Sequence, residues 1–249
     1  MNKDSAIKKY RRIFLSEFAE AILAAIVVAV VLRVFFVAVY RVPTESMQPS
    51  LIPGDFIVAW KTSYGVPVPF SSSQKWGERL PERGDVVVFT LPGEDALFVK
   101  RVIGLPGDRV AIENGKIRLN EVTVTADPST ETDQNSGVLL ATESTGKSTH
   151  VVMRRSDVAD ADFFAPIVVP PGEVFVLGDF RSESVDSRQW GTVPVSSIEG
   201  RVARVAFSLE LENGRTNQPV AGGDLKAGHG GELRPTGRIR WDRIFHRVE

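Results

Sequence analysis

A mainly β fold carried behind one N-terminal transmembrane helix is the class this sequence predicts, and three observations predict it. One run of twenty residues near the N-terminus is almost wholly apolar. Short β-branched segments bounded by glycine or proline recur after it. No amphipathic helix of ordinary length appears beyond residue 41. A chain of 249 residues has room for one membrane segment and roughly 200 residues of folded body, enough for a sizeable core.

The first element follows from hydropathy. Ala21 to Tyr40 reads AILAAIVVAVVLRVFFVAVY, with Arg33 as its one charge. Twenty residues at ~1.5 Å each give ~30 Å, the thickness of a bilayer's hydrocarbon. Arg33 lies near the outer end and can snorkel, which offsets an insertion cost of roughly 2.5–3.5 kcal/mol. The run is too long for a cleaved secretory signal, and no Ala-x-Ala site follows it. Lys3, Lys8, Lys9, Arg11 and Arg12 precede the span, and positive residues stay cytoplasmic. The expected organisation is therefore a basic cytoplasmic tail (1–17), a transmembrane helix (18–40) and an extracytoplasmic β domain (41–249), anchored in the cytoplasmic membrane by a single pass.

Within that domain, residues 84–91, 96–104, 108–122, 172–180 and 200–210 have the composition of strands. Asn114-Gly115 marks a type I′ hairpin. Residues 62–83 hold Pro67, Pro69, Pro81 and a serine run, and are expected as loop. Residues 126–149 are polar and Ser/Thr-rich, the start of an inserted cap expected over 126–165. Residues 211–237 are Gly-rich and expected to be mobile. The C-terminal RIRWDRIFHRVE fits a final strand or a tail lying against the body, with contact to anionic headgroups as the lesser alternative.

Composition narrows the chemistry. Thirty Lys+Arg against 31 Asp+Glu give a net charge of -1, so no global field calls for nucleic acid. The absence of cysteine removes disulfides, thiolate metal sites and a cysteine nucleophile. The three histidines (His150, His229, His246) have no ligand spacing, so no metal site is expected, and none sits in the rigid, motif-like context a Ser-His-Asp triad would need.

Three stretches remain. VPTESMQPSLIPGD (42–55) puts Ser46 between Glu45 and Met47 directly after the span, where a plain linker would serve equally. FVKRVIGLPGD (98–108) sets Lys100 on an apolar strand, sharing a face with Phe98; taken alone this fits a snorkelling edge lysine better than a base. A lysine base must be neutral, and only about one free lysine in 2,500 is neutral at pH 7, so such a base has to be desolvated. GDFRSESVDSRQWG (178–191) crowds charges and hydroxyls after an apolar strand, as many surface loops do.

Together the stretches say more. VPTESMQPSLIPGDF, RGDVVVF (83–89), KRVIGLPGD (100–108) and GDFRSESVDSRQWG resemble, in order and spacing, the sequence boxes of the type I signal peptidases, and the resemblance covers most of residues 20–205. It implies a Ser–Lys dyad that removes signal peptides from exported preproteins at the outer membrane surface, in contact with lipid and without metal or cofactor. It implies Ser46 as nucleophile and Lys100 as general base. Ser184 corresponds to the hydroxyl that orients the lysine, and Asp186 and Arg188 to its supporting pair. The Ser46 N–H and the Thr44 hydroxyl would form the oxyanion hole. Val42, Pro43, Met47, Leu51, Ile57, Val88, Phe98 and Val99 would line shallow pockets for small P1 and P3 side chains. Glu45 replaces a frequent glycine, and Phe180 and Glu183 replace two asparagines; Glu183 is expected to point outward, since an inward carboxylate would raise the pKa of Lys100. A catalytically silent peptide-binding domain is the competing reading, and it has no use for Ser46, Lys100, Ser184 and Asp186 together.

Overall fold

The structure, a computed structural model, describes residues 3–68, 75–94, 96–124, 126–128, 137–146, 148–156, 163–213 and 233–248. Helix α1 (Lys3–Phe35) leads into β1 (Val37–Arg41) and β2 (Asp55–Trp60), then the short pair β3 (Val66–Pro67) and β4 (Lys75–Trp76). There follow β5 (Val86–Thr90), β6 (Leu97–Gly104), β7 (Arg109–Glu113), β8 (Lys116–Leu119) and β9 (Val122–Thr123). Next come β10 (Ala126–Pro128), β11 (Val138–Thr145), β12 (Ser148–Arg155), β13 (Phe163–Val168) and β14 (Glu173–Leu177). The chain ends through α2 (Ser187–Trp190), β15 (Val193–Pro194), β16 (Ile198–Asn213) and β17 (Leu233–Ile239). Mainly β is thus correct, and α2, at four residues, is the one α-helix after residue 41 among the described residues.

The apolar helix closes earlier than hydropathy implies. Glu17–Phe35 is long and apolar enough to cross a membrane and is not buried in the body. Residues 37–40, expected to finish the helix, instead form β1, which pairs antiparallel with β2 from Val37↔Trp60 to Arg41↔Phe56. Val37, Val39 and Tyr40 favour a strand, and β2 supplies the backbone partners that a helix would have found within itself. Hydropathy alone cannot separate a half-buried strand from the end of a span.

An eight-stranded antiparallel sheet in the order β1-β2-β16-β5-β6-β14-β15, with β17 on β16, forms the body. A four-stranded sheet, β13-β7-β8-β9, packs against its far end, and Asn114 and Gly115 take positive φ at the β7–β8 hairpin as a type I′ turn requires. Alternation along β5 separates two cores. Val86 and Val88 join Val42, Met47, Leu51 and Ile57, while Val87 and Phe89 join Val102, Val174 and Val176. A third cluster, around Ile103, Val110, Phe175 and Leu177, joins the two sheets.

All three stretches read by composition as loop contain strands. Residues 126–149 hold β10 and β11, which form a three-stranded sheet with β12. Its buried positions include Glu143, Thr145 and His150, so polar composition there reflects a polar buried face rather than a solvated loop. The expected cap over 126–165 also divides, because β13 pairs with β7 in the other sheet. Within 62–83, β3 pairs with β4, and residues 69–74 lie outside the described residues. In the Gly-rich stretch 211–237 the flanks are strands paired with one another, and residues 214–232 lie outside the described residues. The C-terminus is both things expected of it: β17 ends at Ile239, and the tail then runs along β16, with Phe245 N–H donating to Val205 O and Val205 N–H to His246 O, each at 2.9 Å.

Candidate active site

The segment after β1 stays tied to β2 for one more residue: Val42 N–H donates to Asp55 O at 2.8 Å and Gly54 N–H to Val42 O at 3.0 Å. Between these ties the chain makes a compact turn, closed by Gln48 N–H to Glu45 O (2.8 Å) and Leu51 N–H to Met47 O (2.9 Å). Met47 and Leu51 are buried in the core and anchor the turn, while Thr44 and Glu45 face solvent. Ser46 is thereby held on a rigid support with its hydroxyl inward, the residue being 9% exposed.

Lys100 comes from β6, where it lies opposite Val87 as Phe98 lies opposite Phe89, so Lys100 and Phe98 do share a face. Its ammonium donates to Ser46 Oγ at 2.6 Å. Burial pushes the Lys100 pKa down to about 8; Asp186 and Asp179 oppose that shift and Arg188 adds to it. Desolvation dominates.

The strand β14 meets β6 only as far as Leu177↔Arg101. Beyond that point the chain turns away, and Ser46 takes a place beside it: Phe180 N–H donates to Ser46 O at 3.0 Å. Gly178 is the contact point. A Cβ on it would lie 2.5 Å from Ser46 O and closer still to Ser184 Oγ, so the position has no room for a side chain. The buried Ser184 hydroxyl is thus packed beside the backbone of Ser46.

Asp186 and Arg188 form a buried pair, Arg188 Nε to Asp186 Oδ1 and Nη2 to Oδ2, each at 2.8 Å. Gly178 N–H donates to Asp186 Oδ2 at 3.0 Å. Burial works against the Asp186 carboxylate, but hydrogen bonds and charge from Arg188, with the Gly178 N–H, hold its pKa below the usual carboxylate range. Asp186 also caps α2 in a reciprocal box with Gln189, which fixes the turn after Ser184. Glu183 points outward, 3.7 Å from Arg155 and partly exposed.

Three supports were not legible in the motifs. Arg101, the residue after the lysine, points to the opposite face and pairs bidentately with Asp179 (2.8 and 2.7 Å), both side chains wholly buried. Ser50 Oγ donates to Asp179 Oδ2 at 2.6 Å, tying the serine turn to that pair. Arg243 from the C-terminal tail donates to Asp55 Oδ2 at 2.6 Å and to Ser50 O at 3.0 Å, clamping the same turn from below. An arginine inside the apolar run VKRVIG was the one available signal; nothing in the sequence indicated where residue 243 would fold back.

The eight expected pocket residues are not all brought together. Val42, Met47, Leu51, Ile57 and Val88 are core residues, at most 2% exposed, with Val99 packed on them. Pro43 is exposed. Phe98 belongs to the other cluster, its ring 5.8 Å from Phe89 and 5.1 Å from Trp190. Thr44 Oγ1 lies 3.4 Å from Ser46 Oγ. His150 is buried away from Ser46's hydrogen bonds, and burial, reinforced by the charge of Arg101, lowers its pKa to about 3, so it is neutral. Among the described residues no group of three or more His, Asp or Glu side chains could hold a metal ion.

The family model described as "Signal peptidase, peptidase S26" matches residues 15–207. Signal peptidase I of Buchnera aphidicola subsp. Baizongia pistaciae is 30% identical over 235 residues, covering 76% of this chain and 76% of that protein. Signal peptidase I of Pseudomonas aeruginosa is 32% identical over 212 residues, covering 78% of this chain and 73% of that protein. A crystal structure of a signal peptidase I from Enterococcus faecalis V583 aligns with 27% identity and a TM-score of 0.33, over 49% of this chain and 97% of that one.

Proposed function

The chain belongs to the signal peptidase family, peptidase S26, and from that premise we propose that it is a membrane-bound serine endopeptidase that cuts signal peptides from exported preproteins, with Ser46 as nucleophile and Lys100 as base. One observation carries the dyad: a buried lysine whose pKa is near 8 lies 2.6 Å from a serine hydroxyl. Neutral Lys100 Nζ takes the Ser46 proton as Oγ adds to the scissile carbonyl carbon. The Ser46 N–H and the Thr44 hydroxyl stabilise the oxyanion that forms. Collapse breaks the C–N bond, and Lys100 returns the proton to the departing amine of the mature protein. Water then adds to the Ser46 ester, losing its proton to Lys100, which passes it to Ser46 Oγ as the ester C–O bond breaks and the signal peptide's carboxylate departs. Ser184 and Asp186 are the residues assigned to orienting the lysine, Asp186 through its charge.

The substrate adds as an extended strand. Residues 97–100 of β6 pair with β5 on one edge, while β14 pairs only from Arg101 onward, which leaves the other edge of 97–99 for a peptide. The closed core under Val42, Met47 and Val88 supports shallow pockets, and hence small P1 and P3 side chains. The basic N-terminus supports an inside tail and an outside catalytic body at the lipid surface.

Incubating the detergent-solubilised protein with a preprotein carrying an Ala-x-Ala site, and reading the cut by mass spectrometry, tests the reading. Ser46→Ala should be inactive. Lys100→Arg should be inactive although charge is kept, because guanidinium does not deprotonate. The wild-type kcat/KM should fall below about pH 8 as Lys100 gains its proton. A folded Lys100→Arg enzyme within tenfold of wild type would remove the dyad.

A further inference from the structure

The sheet β10–β12 has no part in the chemistry above, yet it is bonded to the loop that follows β14. Met153 N–H donates to Asp179 O at 2.8 Å, and Met153 forms a parallel bridge with Phe180. Arg155 N–H donates to Ser182 Oγ at 2.9 Å. The strongest link is buried: Arg181 Nη1 and Nη2 donate to Glu143 Oε1 and Oε2 at 2.6 and 2.7 Å, both side chains less than a tenth exposed. The other end of the same guanidinium, Nε, donates to Gly178 O at 3.0 Å.

Gly178 is where that link becomes functional. Its carbonyl accepts from Arg181, its N–H donates to Asp186, and its Cα leaves the space into which Ser184 Oγ and Ser46 O fit. A line of contacts therefore runs from Glu143 on β11 through Arg181 to the residue that spaces Ser46, Ser184 and Asp186. We propose that Glu143, acting through Arg181, is a positioning residue for the catalytic lysine's surroundings, and that the β10–β12 sheet is a brace for the dyad. This rests on the Ser46–Lys100 reading.

A buried carboxylate–guanidinium pair adds little net stability over apolar side chains of the same size, so structure alone gives weak reason for one here. Bidentate geometry does fix a planar guanidinium to within a narrow range, which suits a part whose third donor must hold one backbone carbonyl. The pair also bears on charge. Arg181 faces Glu143, Asp179 and Asp186, and its charge is felt at His150 and Arg154; Arg188 donates to its carbonyl. Lys100 in turn faces Asp186, Asp179 and Arg188. Removing the Glu143 charge leaves Arg181 uncompensated beside the carboxylates that support the Lys100 ammonium, so the acid limb should move to lower pH.

The test uses the full chain in detergent, one signal-peptide substrate, and kcat, KM and pH profiles, with unfolding by urea alongside. Glu143→Gln should lower kcat about 10- to 100-fold with KM changed less than threefold, and shift the acid limb below that of wild type. Because the lone buried arginine could unfold that variant, the double change Glu143→Gln, Arg181→Met removes both charges. It should recover stability and still lack activity, since the donor to Gly178 O is gone. A folded double variant with wild-type kcat would overturn the proposal, as would a folded Glu143→Gln enzyme with wild-type kcat and an unmoved acid limb. Ser46→Ala separates this failure from that of the dyad: an active Ser46→Ala enzyme refutes the dyad, whereas an inactive one beside unimpaired Glu143 variants refutes the brace alone.

Discussion

Replacing Lys100 by methionine should make the protein more stable while abolishing its activity. The folded state holds the lysine at about 8 against 10.5 for a free side chain, chiefly by burial. At about 1.4 kcal/mol per tenfold in proton affinity, the charged form costs the fold on the order of 3 kcal/mol. The sign follows from which state keeps the proton. Below about pH 8 both folded and unfolded chains carry the ammonium, and the cost is present in full. Between about 8 and 10.5 the unfolded chain keeps the proton that the folded chain has lost, so stability rises with pH. Above 10.5 neither is charged and the cost is gone. Methionine fills similar space on the face shared with Phe98 and Val87 and has no proton to lose. Urea unfolding of both proteins at intervals from pH 6.5 to 10.5 isolates the lysine, because other groups cancel in the difference. The advantage of the variant should be largest at the acid end and shrink by roughly 3 kcal/mol across the range. Parallel stability curves for the two proteins would mean that Lys100 is not desolvated, and the account of its basicity would fail with it.

Other consequences are more local. Gly178→Ala should lower kcat/KM by about 100-fold and stability by roughly 1–3 kcal/mol, because the added carbon meets Ser46 O and the Ser184 side chain; kinetics and urea unfolding of the one variant give both values. Asp179→Asn strands the wholly buried Arg101 and should cost about 3–5 kcal/mol near neutral pH. Although burial opposes ionisation of Asp179, Arg101 keeps its pKa below the ordinary carboxylate value, so its contribution is present above about pH 4 and is lost as pH falls through the folded value. Acid titration should accordingly destabilise wild type more steeply than the variant. Arg243→Met releases the serine turn from the C-terminal tail and should cut kcat about tenfold with little change in KM, as measured by steady-state kinetics.

The sequence made visible those parts of the molecule that obey local rules. Alternation placed Phe98 and Lys100 on one face, Asn114-Gly115 marked its hairpin, and the spacing of glycine, proline and β-branched residues located β5–β8, β14 and β16. Hidden features share a physical cause, which is dependence on partners distant along the chain. Residues 37–40 became a strand because β2 runs beside them, 15 or more positions on. Glu143 and His150 look solvated by composition and are buried beside the loop 178–184, whose Arg181 bonds to Glu143 and whose charges reach His150. Arg101 and Arg243 select Asp179 and Asp55 across separations of 78 and 188 residues, which no local pattern encodes.

The same dependence explains why so costly a group as a buried lysine persists at this site. A lysine base has to be dehydrated, and a body that excludes water from Nζ must surround it with backbone and apolar side chains rather than with carboxylates at contact distance. Here the carboxylates nearest in effect, Asp186 and Asp179, are each bound by an arginine, Arg188 and Arg101, so that they support the ammonium without forming an ion pair with it. Had either carboxylate touched Nζ directly, the proton would be retained well above pH 8 and the base would be lost near neutrality. Occupying the carboxylates with guanidinium groups is thus a requirement of the proposed dyad as much as of the fold. It accounts for an arginine beside each acid in a region where burial alone would favour neither.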